Sequence, residues 1–193
     1  MDVDRNTVVI IAVAAGAAWA YHSWAKTPPP GTEVAVLGPA GPTGPAGHVL
    51  ITSALNAALP RGIRNNNPGN VKYSKANSWV GQRGFDSGGF VVFDTSGHGL
   101  RAAGKLIKTY INRYGLNTLL KISKRWSPDA IGLSGQYAAG VSKYSGVPAE
   151  KALSATDNAT LSAILRGMVA QENGAAYLNR YPLADIKAII TAA

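Results

Sequence analysis

The stretch Thr27–Gly47 reads as a linker, and it divides the chain into parts that must fold separately. It opens with Pro28-Pro29-Pro30-Gly31 and closes with Gly38-Pro39-Ala40-Gly41-Pro42-Thr43-Gly44-Pro45-Ala46-Gly47. Glycine at every third position is the collagen pattern, since only glycine fits at the axis of a triple helix. Three triplets are too few to hold a triple helix unaided, so an extended polyproline-II spacer is expected. A short trimeric stalk is the alternative, if something else trimerises the chain. The expected organisation is therefore residues 1–26, a Pro/Gly-rich linker over 27–47, and a globular domain over 48–193.

Ahead of the linker lies an apolar run from Thr7 to Ala25 without one charged residue. Nineteen residues in a helix span roughly 28 Å, about the thickness of a bilayer's hydrocarbon core. Trp19, Tyr21 and Trp24 cluster near its C-terminal end and Lys26 follows, as an interfacial belt would require. A cleaved signal peptide competes with this reading, with Ala18-Trp19-Ala20 as its cleavage site. Asp2 and Asp4, however, stand where such a peptide carries positive charge. Residues 1–26 are expected to form a single transmembrane helix, which makes the membrane a partner.

Beyond the linker, apolar residues recur at spacings of three and four, and the domain is expected to be mainly α. Leu100, Ala103, Ile107, Tyr110, Ile111 and Tyr114 fall on one helical face, with Gly115 as the stop. Shorter helices are expected at 118–125, 134–145 and 183–191. Val71 and Tyr73, then Phe90 to Phe93, flank the glycine-rich stretch 81–89 and predict a small β-hairpin. Charge is uneven as well. Residues 61–193 carry 17 basic groups against 7 acidic ones, a net of +10, whereas residues 1–60 have a net of −1. So basic a surface attracts nucleic acid, anionic lipid or bacterial cell wall, and charge alone does not choose among them.

Some chemistries are closed to this chain. It has no cysteine, which excludes disulfides, cysteine-ligated metals and a cysteine nucleophile. His22, His48 and His98 lie far apart without metal-ligand spacing, so neither a metal nor another cofactor is expected. Three glutamates occur: Glu33 in the linker, Glu150 and Glu172. Glu150 follows Val147-Pro148-Ala149, and a place in the first turn of a helix accounts for it. Glu172 is different. Leu161, Ile164, Leu165, Met168 and Val169 make one apolar face, and the same spacing continues to Glu172 before Asn173-Gly174 ends the helix. A carboxylate at a helix C-terminus faces the negative end of the dipole, and partial burial adds to that, so a raised pKa is expected. A general acid for glycosidic cleavage needs a carboxyl that stays protonated near neutral pH. The competing reading is a glutamate paired with an arginine or exposed by fraying.

The densest local string is Arg61-Gly62-Ile63-Arg64-Asn65-Asn66-Asn67-Pro68-Gly69-Asn70-Val71. Side-chain amides pair with sugar hydroxyls and N-acetyl groups, because each offers both donors and an acceptor. Asn65, Asn66, Asn67 and Asn70 are therefore expected to bind substrate, with Tyr73 and Trp79 stacking on sugar faces. An elaborate turn beside ordinary core aromatics is the alternative.

That string, with Trp79-Val80-Gly81, Phe90-Val91-Val92-Phe93 and Gly99-Leu100-Arg101-Ala102, resembles a group of bacteriophage virion-associated lytic proteins. Arg125-Trp126-Ser127-Pro128, Tyr137 and Glu172-Asn173-Gly174 fit the same pattern, so the likeness covers about residues 60–180. It implies a lysozyme-like helical fold, peptidoglycan as substrate, and local wall digestion during genome entry. It also implies residence in the virion and contact with other virion proteins. One departure matters: such domains place the catalytic glutamate before the Asn-Pro and aromatic elements. Here no glutamate occurs between Glu33 and Glu150, so the helix ending in Glu172-Asn173-Gly174 is read as that catalytic helix in a circularly rearranged order.

On this reading Glu172 protonates the glycosidic oxygen. A lytic transglycosylase closes a 1,6-anhydro ring by substrate assistance and needs no second carboxylate, whereas a hydrolase needs a nucleophile or base. Asp86 and Asp94 are the nearest by pattern, and Asp94-Thr95-Ser96 suggests that Asp94 caps the next helix. Two other classes stand beside the enzyme. One is a membrane-anchored virion structural or wall-binding protein without activity. The other is a nucleic-acid binder, but the basic residues are scattered and no recognised nucleic-acid motif occurs, so no specific nucleic acid is expected as a partner.

Overall fold

The structure, a computed structural model, describes residues 58–127 and 134–193. Its elements follow in the order α1 (Arg61–Arg64), β1 (Gln82–Phe85), β2 (Val91–Phe93), α2 (Ser96–Tyr114), α3 (Leu119–Trp126), α4 (Ser134–Ser145), α5 (Asn158–Asn173), a 3-10 turn (Ala175–Arg180) and α6 (Leu183–Thr191). The expected transmembrane helix ahead of a lysozyme-like domain is corrected to a mainly helical body with one small two-stranded sheet. Among the described residues no helix is long and apolar enough to cross a membrane. The reason is visible in α2, nineteen residues long, which carries Arg101, Lys105, Lys108 and Arg113. The apolar run Thr7–Ala25 and the linker 27–47 lie outside the described residues, as does Pro128 of the Arg-Trp-Ser-Pro motif.

Helix α5 is the centre of the body. Asp157 caps it by accepting from the Thr160 backbone N–H at 3.0 Å, and Leu161, Ile164, Leu165, Met168 and Val169 are all buried. Burying a side chain of this size contributes roughly 1.5–3 kcal/mol, so this one face carries much of the domain's stability. It packs against α4, α6, α2, α1 and the 3-10 turn. The approach to α4 is close because Gly167 has no side chain: a Cβ there would lie 2.6 Å from the Val141 carbonyl oxygen.

Helix α2 ends as expected, at Gly115 with φ +64°. Its start differs. Thr95, not Asp94, is the cap and accepts from the His98 N–H at 3.2 Å; Asp94 instead faces the His98 ring. The helices expected at 118–125, 134–145 and 183–191 are α3, α4 and α6, whereas Glu150 lies in a turn rather than a helix.

The hairpin also differs in register from the expected one. Its first strand, β1, lies inside the glycine-rich stretch, and Val71 to Tyr73 contributes only an isolated bridge, Lys72 to Phe90. Asp86 makes the difference: its Oδ1 accepts from the backbone N–H groups of Gly88 at 2.9 Å and Phe90 at 3.0 Å. That side-chain turn folds 86–90 back locally, as Asp does where it substitutes for a backbone turn. β1 pairs with β2 through this turn, while 71–73 bonds to residues 89–91 through Val91 N–H to Val71 O (3.0 Å) and Tyr73 N–H to Gly89 O (2.9 Å).

Candidate functional site

Asn65 to Val71 forms a loop between α1 and the sheet, and each of its amides has a defined partner. Asn67 is fully buried: its Nδ2 donates to the carbonyls of Val71 (2.9 Å) and Val91 (2.8 Å), and its Oδ1 accepts from the Val71 N–H (2.9 Å). Asn66, at φ +51°, donates to the carbonyls of Phe93 (3.2 Å) and Asp94 (3.1 Å). Asn65 donates to Asp86 Oδ2 at 2.8 Å. The three side chains thus hold the loop to the hairpin. Of the amides expected to meet substrate, these are committed to the protein itself.

Two further bonds pin the loop from the helical side. Asn173, buried at the end of α5, donates to the Pro68 carbonyl at 2.7 Å, and the Trp126 indole of α3 donates to the Gly69 carbonyl at 3.2 Å. Gly62 of α1 lies so close to Asn173 Oδ1 that any Cβ would collide with it. The outcome is a fixed position for Asn70, which also has φ +51°.

Asn70 reaches Glu172. Its Nδ2 donates to Glu172 Oε2 at 2.8 Å, across 102 residues of sequence. Tyr137, buried on α4, donates its hydroxyl to Glu172 Oε1, also at 2.8 Å. Glu172 is half-buried near the last turn of α5. Burial raises its carboxyl above the ordinary range; the hydrogen bonds from Asn70 and Tyr137 and the nearby Lys72 charge oppose that rise without cancelling it. Burial, reinforced by the Glu172 charge, also holds the Tyr137 phenol well above its usual value, so Tyr137 is a neutral donor.

The aromatic candidates sit on the hairpin side. Tyr73 stacks on Phe85 with ring centroids 4.4 Å apart, and Trp79 is half-buried at the entry to β1, packed against the core. The Trp79 indole N–H is buried without a partner among the described residues. Two carboxylates considered as a second catalytic group are occupied. Burial alone would raise Asp86, but bonds from Phe90, Asn65 and Gly88 and the Arg61 charge outweigh it and hold the carboxyl low. Asp94 is lowered by His98, whose Nδ1 lies 2.6 Å away, against a smaller desolvation effect.

A known phage protein is similar in sequence. Protein P5 of Pseudoalteromonas phage PM2 is 32% identical over 144 residues, which span 73% of this chain and 86% of that protein. The chain belongs to the family of this phage protein. No family model matches it. Kinship with protein P5 places the chain among phage proteins and leaves its chemistry to the residues described above. Within that set, the roles of Tyr137, Trp126 and Asn173 had no signal in local pattern beyond their membership of the phage-like motifs, because each acts on a partner far away in sequence.

Proposed function

We propose that this member of the protein P5 family is a peptidoglycan-cleaving enzyme of the phage particle, with Glu172 as general acid. The observation that carries this reading is the pairing of a raised carboxyl with two fixed neutral donors, Asn70 and Tyr137. A half-buried carboxyl of this kind holds its proton to higher pH than a free one, as an acid catalyst of glycoside cleavage must.

Asn70 suits both charge states. Its Oδ1 is buried without a partner among the described residues, while its Nδ2 serves the carboxylate. A half-turn of the amide would present the acceptor oxygen to the protonated acid. In the bond-breaking step Glu172 gives its proton to the glycosidic oxygen and the C1–O bond opens. The sugar's own 6-hydroxyl oxygen then bonds to C1, and its proton returns to Glu172, closing a 1,6-anhydro ring. The commitment of Asp86 and Asp94 to other partners favours this route over one that needs a second carboxylate. Residence in the virion, contact with other virion components and action on the host wall at genome entry complete the proposal.

The same network supports a second reading, a virion or wall-binding protein in which Glu172 only ties α4, α5 and the 65–71 loop together. The two separate by product analysis. The full chain is incubated with purified peptidoglycan and the soluble fraction examined by mass spectrometry. Anhydro-sugar ends are expected; reducing ends would indicate hydrolysis, and binding without new glycan ends would establish the second reading.

A further inference from the structure

From Thr95 to Ser127 the chain contains no acidic residue, yet it carries Arg101, Lys105, Lys108, Arg113, Lys121, Lys124 and Arg125. Seven positive charges, four on α2 and three on α3, therefore supply most of the net +10 of residues 61–193. None of the seven forms an ion pair among the described residues. Scattered along the sequence, four of them, Arg113, Lys121, Lys124 and Arg125, are gathered by the fold around Tyr110 and Tyr114.

Between α2 and α3 lies an open hollow of about 700 Å³, lined by Tyr110, Tyr114, Leu116, Lys121, Lys124 and Arg125. A second hollow, of about 380 Å³ and lined by Lys105, Lys108, Thr109, Asn112, Arg113 and Ala193, lies on the α6 side of α2, where Lys108 donates to the Ile190 carbonyl. Beside the first hollow the Arg125 guanidinium lies 4.6 Å from the Tyr114 ring centre and the Arg113 guanidinium 5.8 Å. Tyr110 meets Tyr114 edge-on at 6.3 Å, and Tyr114 is 47% exposed. Neither hollow is lined by Glu172, Asn70 or Tyr137, so this is a separate surface.

We infer that the α2–α3 face binds single-stranded nucleic acid without sequence preference. Cations along a groove neutralise phosphates, and exposed rings and guanidinium planes offer stacking surfaces for unpaired bases. A duplex hides its base faces and would gain nothing from the tyrosines. A flat bilayer cannot enter a hollow, and among the described residues Tyr114 alone of the large exposed apolar side chains lies here. The inference is independent of wall cleavage.

The test is fluorescence anisotropy of the full chain with a labelled oligothymidylate of about 20 nucleotides. Wild type should bind, with affinity falling at least about 10-fold between about 50 and 200 mM salt. The pair Lys121→Ala/Lys124→Ala should weaken binding about 10-fold, and Tyr114→Ala about 5-fold or more. Lys143→Ala/Lys187→Ala removes the same charge from other helices and should change affinity less than about 2-fold. Circular dichroism and thermal melting confirm that each variant is folded. Equal losses from the two lysine pairs would overturn the inference in favour of overall charge. A duplex bound as tightly as the single strand would overturn it too, as would anionic phosphatidylglycerol vesicles that hold the protein against excess oligonucleotide, or failure to bind the oligonucleotide at low salt.

Discussion

Asn67→Ala is the sharpest test of how the 65–71 loop is held. The side chain is fully buried and makes three bonds, all to backbone of the loop and of β2. Val71 O keeps a second donor, the Val91 N–H at 3.0 Å, so its loss is partial. The Val71 N–H is left buried without its acceptor, which costs about 1–3 kcal/mol. The two lost donor bonds add about 1 kcal/mol each, giving a total of about 3–5 kcal/mol. Equilibrium urea unfolding, followed by tryptophan fluorescence, reads this as a lower midpoint at unchanged slope. A loss below about 1 kcal/mol would refute the claim that this amide pins the loop.

Other expected outcomes follow from the same contacts. Tyr137→Phe removes a donor that lowers the Glu172 pKa, so the alkaline limb of the lysis–pH profile should move to higher pH. Because the folded Glu172 carboxyl titrates above its ordinary value, it contributes stability at low pH that is lost as pH rises through the folded pKa. Glu172→Gln should therefore raise the melting temperature relative to wild type near neutral pH, with the difference shrinking in acid. Asp86 has the opposite sign: its carboxyl is held low, so Asp86→Asn should destabilise at neutral pH and lose that effect as pH falls below the ordinary carboxylate range. Gly167→Ala should cost about 1–3 kcal/mol in thermal unfolding despite better helix propensity, because the new methyl meets the Val141 carbonyl.

The helices were legible because their signals are local. Gly115 stops α2, and the Leu161–Val169 face identifies α5 and puts Glu172 at its end. The hairpin was legible only in part: strand propensity at Val71 and Tyr73 is real and both bond to residues 89–91, but the Asp86 side chain closes a turn at 86–90 beside which Gln82–Phe85 pairs with Val91–Phe93. The asparagines show the other limit. An amide offers the same donors and acceptor to a sugar as to a backbone carbonyl, so the string of four suggests a binding loop equally well in both cases. Three of them hold the loop to the hairpin, and only Asn70 meets the Glu172 carboxyl, a contact that local pattern cannot reveal across 102 residues.

Wild type and Glu172→Gln, both as the full chain, should be compared for lysis of purified peptidoglycan at near-neutral pH. The account predicts release of glycan fragments by wild type and a loss of about 100-fold or more in the variant, with folding and wall binding retained. Equal lysis by the two proteins would contradict the assignment of Glu172 as the acid.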